Sequence, residues 1–234
     1  MRCMVRNRKF SVFGDSVSTL QGYQPERYAV EYEGSFAEES CVKTISDTWW
    51  GMAIRELGGE LLVNDSYSGC TVTSWREDEM AFPSAASRER IEALCGAGVP
   101  DVLMIYLGTN DWGRCRKIGT GAEPWWRTFS GSYCHMLCDL RRRLPDTEIW
   151  CLNLTYSQAM AYHFYRGPLQ KMEEYNRAIA EAAAKYGAKP VDLWTNASQY
   201  SSADLAHPDR AGMETIARAV TASAGRRPAG ESVR

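Results

Sequence analysis

The sequence predicts an α/β protein in which a parallel sheet lies between two layers of helices. Five short apolar runs are nearly continuous rather than alternating, which is typical of parallel strands buried on both faces. Segments with helical spacing of apolar residues separate these runs, and right-handed crossovers then give a three-layer α/β/α sandwich. The chain has 234 residues, 44% of them hydrophobic, so we expect a single domain over residues 1–224.

Each predicted strand is followed by a predicted helix. The apolar runs that predict strands are residues 9–13, 61–64, 102–107, 149–154 and 189–193. The helical stripes cover residues 50–57, 91–95, 129–144, 169–186 and 213–220. Asp47 is a plausible N-cap for the first of these helices.

Two long segments do not fit this alternation. Residues 21–46 are expected to form an irregular, Glu-rich connection after the first strand, and residues 113–124 follow the third strand. Long connections in compact domains are often functional. The composition of residues 225–234 predicts a disordered tail.

Composition argues against several classes of function. The net charge is −2 and the only basic cluster, residues 141–143, ends a helical stripe, so we expect no nucleic-acid partner. No apolar stretch approaches the ~20 residues needed to span a bilayer, and no signal-peptide core follows the basic N-terminus. The eight cysteines form no C-x-x-C pair and are interpreted as buried or free thiols. We therefore expect a cytoplasmic protein, with a secreted mature form left open.

Cofactor chemistry has little support in the sequence. No His/Cys cluster has zinc spacing, and no glycine-rich phosphate or dinucleotide motif follows a strand. The Gly-x-Ser-x-Gly elbow of α/β-hydrolases is also missing. The sequence therefore predicts a protein with neither a metal nor a cofactor.

Polar turns follow the predicted strands, where ligands bind in an open parallel sheet. The first strand ends in Gly-Asp-Ser at residues 14–16, the second leads to Gly69, and the third ends in Gly-Thr-Asn-Asp at residues 108–111. An Asp-Leu-Ala-His-Pro segment at residues 204–208 follows the fifth. Acyl transfer requires these residue types: a serine nucleophile, a histidine base, a carboxylate, and N–H donors for the oxyanion.

These four blocks, in this order and over almost the whole chain, resemble the SGNH/GDSL hydrolase family. The resemblance implies a flavodoxin-like five-stranded sheet with strand order 2-1-3-4-5. It implies that Ser16 is the nucleophile, His207 the general base and Asp204 the carboxylate that orients the base. The backbone N–H groups of Ser16 and Gly69 and the side-chain amide of Asn110 would form the oxyanion hole.

The last block departs from the family pattern at one position. Glycine often follows its aspartate, whereas this chain has Leu205, which puts the local turn geometry in question. Asp204 could instead be the N-cap of the last helix, although Asp209 can fill that role.

Other residues are candidates for secondary roles. Trp112 directly follows the third block and could wall the substrate pocket. His163 lies after the fourth strand, at the catalytic end of the sheet, and could contact substrate. His135 lies off the apolar stripe of its helix and is expected on a solvated face.

The expected reaction is hydrolysis of short-chain acyl esters, acetyl esters first, on carbohydrates. No long apolar lid or lipid-binding helix is evident, and family analogy supports the same choice. Three alternatives remain open at this stage. They are an acyltransferase on the same site, a non-catalytic glycan-binding module of the same fold, and a flavodoxin-like regulatory or cofactor domain.

Overall fold

The computed structural model of the chain describes residues 7–74, 83–120, 123–157, 169–197 and 199–224. Its sheet has five parallel strands in the order β2-β1-β3-β4-β5. The strands are β1 (Arg8–Gly14), β2 (Gly59–Asn64), β3 (Val102–Tyr106), β4 (Glu148–Leu152) and β5 (Lys189–Val191). The predicted α/β fold and the strand order implied by the resemblance are both confirmed.

Helices cover both faces of the sheet. Those in the described residues are α1 (Gly34–Ser40), α2 (Trp49–Glu56), α3 (Arg88–Gly96), α4 (Thr109–Gly113), α5 (Phe129–Arg143), α6 (Leu169–Lys185), α7 (Leu193–Asn196) and α8 (Arg210–Ala224). Helix α2 packs against α8, whereas α5 packs against α3 and α6. Among the described residues, no helix is both long enough and apolar enough to cross a membrane.

Two local predictions are wrong. Residues 21–46 are not irregular throughout, because they contain α1 and the start of a 3₁₀ turn, Ile45–Asp47. Asp47 does not cap α2. The Thr48 hydroxyl accepts from the Gly51 N–H at 3.0 Å, while the Asp47 carboxylate accepts from the Thr44 N–H at 3.0 Å. Asp47 is one residue too early for the cap because it closes the preceding turn.

The tail predicted for residues 225–234 lies outside the described residues, as does Cys3. The seven cysteines within the described residues are all free thiols, which agrees with the lack of a disulfide framework in the sequence.

The turn after β1 is closely packed at its first residue. A Cβ atom on Gly14 would lie 2.5 Å from the Ser18 Oγ and 2.9 Å from the Ser66 Oγ, so only glycine fits there. Asp15 then caps the 3₁₀ turn Ser16–Ser18 by accepting from the Val17 N–H at 3.2 Å. This turn places Ser16 at the switch point of the sheet, where β1 lies between β2 and β3.

Three side-chain N–H groups that donate to Ser18 fix the far end of the same turn. The indole N–H of Trp49 donates to the Ser18 Oγ at 3.2 Å, and that of Trp50 donates to its carbonyl oxygen at 3.0 Å. The Asn64 side-chain amide donates to the same carbonyl at 2.8 Å. Both indoles are fully buried, so α2 and the end of β2 fix the turn that carries Ser16.

The loop after β2 is organised around a buried arginine, Arg90. Its guanidinium donates to the Asp65 carbonyl oxygen at 2.6 Å, and its Nε lies 3.4 Å from the Asp65 carboxylate. The guanidinium carbon also lies 5.1, 4.8 and 4.6 Å from the ring centres of Phe13, Tyr28 and Tyr67. Burial raises the pKa of Asp65 despite the favourable charge of Arg90. Arg90, from α3, therefore holds the loop through a buried ion pair in which each charge depends on the other.

We expect Arg90→Met to destabilise the fold by about 3–5 kcal/mol, because it leaves the Asp65 carboxylate buried without a cation. Urea unfolding at pH 7 measures the change. Arg88→Met is the matched control, since that side chain is 82% exposed and pairs only with Glu92 among the described residues. Its unfolding midpoint should stay close to that of the wild type. Equal midpoints for the two variants would contradict a structural role for Arg90.

The buried carboxyl group of Asp15 is expected to make the stability of the fold depend on pH. Burial raises its pKa from 3.8 to about 7. At pH values between 3.8 and about 7, the folded protein keeps a proton on Asp15 that the unfolded chain has released. The free energy of unfolding therefore decreases as the pH rises through this range. Asp15→Asn should therefore lose less thermal stability than the wild type between pH 5 and pH 8. Parallel plots of Tm against pH for the two proteins would contradict this assignment.

Candidate active site

A serine, a histidine and an aspartate form a continuous chain of hydrogen bonds at the carboxyl end of the sheet. The Ser16 Oγ lies 3.0 Å from the His207 Nε2, although the two residues are 191 positions apart. The His207 Nδ1 lies 2.7 Å from the Asp204 Oδ2. Because an ionised carboxylate can only accept, Nδ1 carries the proton and Nε2 accepts from the serine hydroxyl. The structure thus brings together the three residues predicted as the triad.

The turn that carries His207 is built around the Asp204 carboxylate. Its Oδ1 accepts from the backbone N–H of Ala206 at 2.7 Å and of His207 at 2.6 Å. Burial alone would raise the pKa of Asp204, but the hydrogen bonds from His207 and Ala206 outweigh it and lower the pKa below 3.8. Asp204 is therefore ionised at neutral pH and fixes both the backbone and the ring of the histidine.

Leu205 fits this turn without strain. Its side chain is 45% exposed, and its backbone does not adopt a left-handed conformation. The glycine that is frequent in this block is therefore not needed here. Asp204 is also not the cap of the last helix, because the Asp209 carboxylate accepts from the Gly212 N–H at 2.9 Å at the start of α8.

The connection over residues 21–46 covers one side of His207, a role that the sequence did not reveal. The edge of the Phe36 ring meets the imidazole at a centroid distance of 5.7 Å. The Tyr32 hydroxyl donates to the Pro208 carbonyl oxygen at 2.8 Å. The Glu31 Oε1 lies 3.5 Å from the His207 Nδ1. The length of the connection was a signal of function, but no pattern within it pointed to these three residues.

The predicted oxyanion residues lie on two loops that contact each other. Gly69 has a φ of +84°, a conformation that favours glycine. The Asn110 side-chain amide donates to the carbonyl oxygen of Cys70, the residue after Gly69, at 3.0 Å. Within the described parts of the chain, the N–H groups of Ser16 and Gly69 have no hydrogen-bond partner. An exposed guanidinium nitrogen of Arg114 lies 3.6 Å from the position of a Cβ on Gly69.

Asp111, the last residue of the third block, joins these two loops. Its buried carboxylate accepts from the backbone N–H groups of Val72 and Thr73 at 2.8 and 3.0 Å, and from the Thr73 hydroxyl at 2.6 Å. Burial raises the pKa of Asp111, and the bonds from Thr73 and Val72 oppose that rise. The loops after β2 and β3 are therefore cross-linked beside Asn110.

Among the described residues, the structure places the remaining candidate Trp112 at a cavity of its own. Trp112 is buried and lines a cavity of about 420 Å³ formed with residues 115–120, 174 and 175. Neither Ser16 nor His207 belongs to the described lining of that cavity. A substrate contact by Trp112 therefore stays a prediction. His163 lies outside the described residues. His135 is half-buried, and its ring stacks on the ring of Trp125 with a centroid distance of 3.7 Å. It is therefore only partly exposed to solvent.

Three side chains of types that can bind a metal ion converge at the site, namely Glu31, Asp204 and His207. Their potential metal-binding atoms lie within 4.8 Å of one another. One of these contacts is the short hydrogen bond between the His207 Nδ1 and the Asp204 Oδ2. The Asp204 carboxylate and the His207 Nδ1 are therefore already paired with each other.

Comparison with known proteins identifies the family of the chain. A family model described as GDSL-like Lipase/Acylhydrolase matches residues 8–224. No curated protein sequence matches the chain. The crystal structure of a putative GDSL-like lipase from Bacteroides ovatus is 25% identical, with a TM-score of 0.71 over 92% of this chain and 97% of that chain.

Two further structures share the fold at lower identity. A variant of the acetyl-xylooligosaccharide esterase Axe2 from Geobacillus is 19% identical, with a TM-score of 0.63 over 94% of this chain and 95% of that chain. A family two carbohydrate esterase from Clostridium thermocellum, in complex with cellohexaose, is 18% identical, with a TM-score of 0.60 over 92% of this chain and 62% of that chain. Since the family match covers nearly the whole chain, the protein belongs to the GDSL-like lipase/acylhydrolase family and is a serine hydrolase.

Proposed function

We propose that the protein hydrolyses short-chain acyl esters of carbohydrates, acetyl esters foremost, through an acyl-enzyme on Ser16. The observation that carries the proposal is the chain of hydrogen bonds from the Ser16 hydroxyl through the His207 ring to the Asp204 carboxylate. A hydroxyl is a weak nucleophile, and this chain supplies both the base that removes its proton and the charge that stabilises the base once it is protonated.

The reaction proceeds in two halves. In the first, the Ser16 Oγ attacks the ester carbonyl while the His207 Nε2 takes its proton. The protonated ring then gives that proton to the leaving alcohol as the ester C–O bond breaks, which leaves the acyl group on Ser16. In the second, a water molecule loses a proton to His207 and attacks the acyl group. The carboxylic acid departs, and Ser16 recovers its proton from the ring.

The oxyanion formed in each half needs nearby N–H donors. The backbone N–H groups of Ser16 and Gly69 and the amide of Asn110 fill that role. An amide carries two N–H bonds, and the one from Asn110 to Cys70 fixes the side chain while the other remains for the oxyanion. Because the donors are held before substrate binds, little reorganisation is required during the reaction.

The surroundings of the triad favour a polar alcohol. Arg114 supplies an exposed charged group beside Gly69, and sugar hydroxyls can hydrogen-bond to such a group. The relatives of the same fold include proteins described as an acetyl-xylooligosaccharide esterase and a carbohydrate esterase complexed with cellohexaose. Both considerations support a carbohydrate ester over a long-chain lipid.

The proposal is tested by acetate release from acetylated xylooligosaccharides, together with a panel of p-nitrophenyl acetate, butyrate and octanoate. We expect the highest kcat/KM for acetyl esters. Ser16→Ala should lower the rate on every active ester by about 10⁴-fold or more, because the nucleophile is lost. Its Tm should stay close to that of the wild type, since the change removes one hydroxyl group and keeps the Cβ atom.

Ser35→Ala, an exposed serine in α1, is the control and should retain full activity. Undiminished acetate release by Ser16→Ala would refute the nucleophile assignment. A preference for octanoate with no acetate release from sugars would refute the substrate class while leaving the nucleophile intact.

Asn110→Ala tests the oxyanion assignment separately. Removing one donor should lower kcat on p-nitrophenyl acetate by about 10²–10³-fold with little change in KM, because the donor acts on charge that develops in the transition state. Steady-state kinetics measure the two constants. A rise in KM at constant kcat would instead make Asn110 a contributor to ground-state binding.

A further inference from the structure

Glu31 brings a second carboxylate to the ring nitrogen that Asp204 already binds. Its Oε1 lies 3.5 Å from the His207 Nδ1, against 2.7 Å for the Asp204 Oδ2. The two acids come from distant parts of the chain, one from the connection after β1 and the other from the turn before α8. Their side chains are 24% and 40% exposed, so Glu31 is the more enclosed of the two.

We propose that Glu31 is a positioning residue for the reaction, a second carboxylate that holds His207 and stabilises its protonated form. The inference rests on the proposed function, because it assigns Glu31 a role in the same acyl transfer. Glu31 touches neither the substrate carbonyl nor Ser16 in this role. It acts through the ring of His207.

The main chain and side chain of Glu31 are both fixed, unlike those of a free surface acid. Its backbone N–H donates to the Thr19 hydroxyl at 2.9 Å, and that hydroxyl donates to the Ser16 carbonyl oxygen at 2.9 Å. Its second carboxylate oxygen, Oε2, accepts from the Ser68 hydroxyl at 2.7 Å. Ser68 precedes the oxyanion glycine, Gly69. Glu31 is therefore connected to the nucleophile turn, to the base and to the oxyanion loop.

The charge balance around His207 makes this carboxylate effective. Among the described residues no cation forms an ion pair with the acids that face the ring, apart from the ring itself. In the described parts of the chain, the ionisable and aromatic groups around the ring and its turn include Asp204, Glu31, the buried Asp15, Asp209, and the uncharged side chains of Phe36, Tyr32 and Tyr200. A carboxylate within about 4–6 Å favours the protonated form of a neighbouring base. Each half of the reaction passes through an imidazolium, so Glu31 lowers the barrier to both.

The test is the pH profile of kcat/KM for p-nitrophenyl acetate in Glu31→Gln. The neutral amide keeps the size of the side chain and removes its charge. Protonation of the ring then becomes less favourable, so the midpoint of the acid limb should move to lower pH by about 0.5–1 unit. At the pH optimum kcat should fall by about 3–10-fold with KM nearly unchanged, because imidazolium stabilisation is lost only in the transition state.

Two variants make the comparison specific. Glu33→Gln removes one negative charge from an exposed position in the same connection, where the side chain makes no capping hydrogen bond. Its profile should overlay that of the wild type. Glu31→Asp keeps the charge but retracts it by one methylene, so its acid limb should lie between those of the wild type and Glu31→Gln. A structural role alone would not produce this graded shift.

An acid limb of Glu31→Gln that coincides with the wild-type limb overturns the inference, as does an equal shift in Glu33→Gln. If Glu31→Gln fails to unfold cooperatively, Glu31→Asp decides the matter, and an unshifted limb in that variant overturns the inference. Ser16→Ala and His207→Ala are measured beside them. Activity retained in those two variants refutes the proposed function itself, whereas their inactivity beside an unshifted Glu31→Gln refutes only the role of Glu31.

Discussion

The hydrogen bond between the Ser16 hydroxyl and the His207 ring joins segments that lie 191 residues apart, so both segments must be fixed independently. On the serine side, the turn after β1 is held by Trp49, Trp50 and Asn64, all of which donate to Ser18. On the histidine side, the Asp204 carboxylate closes the turn through two backbone N–H groups and one ring nitrogen. A displacement of about 1 Å at either turn would lengthen the contact enough to impair proton transfer.

The loops that face these turns are held by buried charge. Arg90 and Asp65 fix the loop after β2, and Asp111 binds that loop to the one after β3. Burial raises the pKa of both aspartates. An apolar loop of the same shape would therefore fold with a smaller desolvation cost. Such groups nevertheless hold the loops that carry the proposed oxyanion donors in place before substrate binds, as stabilisation of an oxyanion requires. The arrangement therefore favours preorganisation of the site over stability of the fold.

The sequence predicted the parts of the site that depend on local order along the chain. Continuous apolar runs identified all five strands, and the polar turns at their ends contained Ser16, Gly69, Asn110, Asp204 and His207. Glu31 and Phe36 escaped prediction because their roles depend on the path of a long connection, which has neither helical nor strand periodicity. Arg90 escaped it because a charged residue in a short helix is usually solvated. Asp47 was mistaken for a helix cap because the sequence alone does not show the 3₁₀ turn that precedes α2. The catalytic roles of the triad and of the oxyanion donors remain predictions for the kinetics to decide.

The connection after β1 also bears on the direction from which substrate enters. Phe36 and Glu31 cover one side of His207, and Tyr32 binds the carbonyl oxygen of Pro208 behind it. The ring can therefore turn little, and its Nε2 stays directed at Ser16. In the proposed reaction the leaving alcohol receives its proton from this same nitrogen, so it would lie on the side of Ser16 that the connection leaves open. Arg114, whose guanidinium lies beside Gly69, is a charged group available to the hydroxyls of the proposed sugar substrate. In the proposed reaction, the covering of the base by this segment would thus constrain both proton transfer and the orientation of the alcohol.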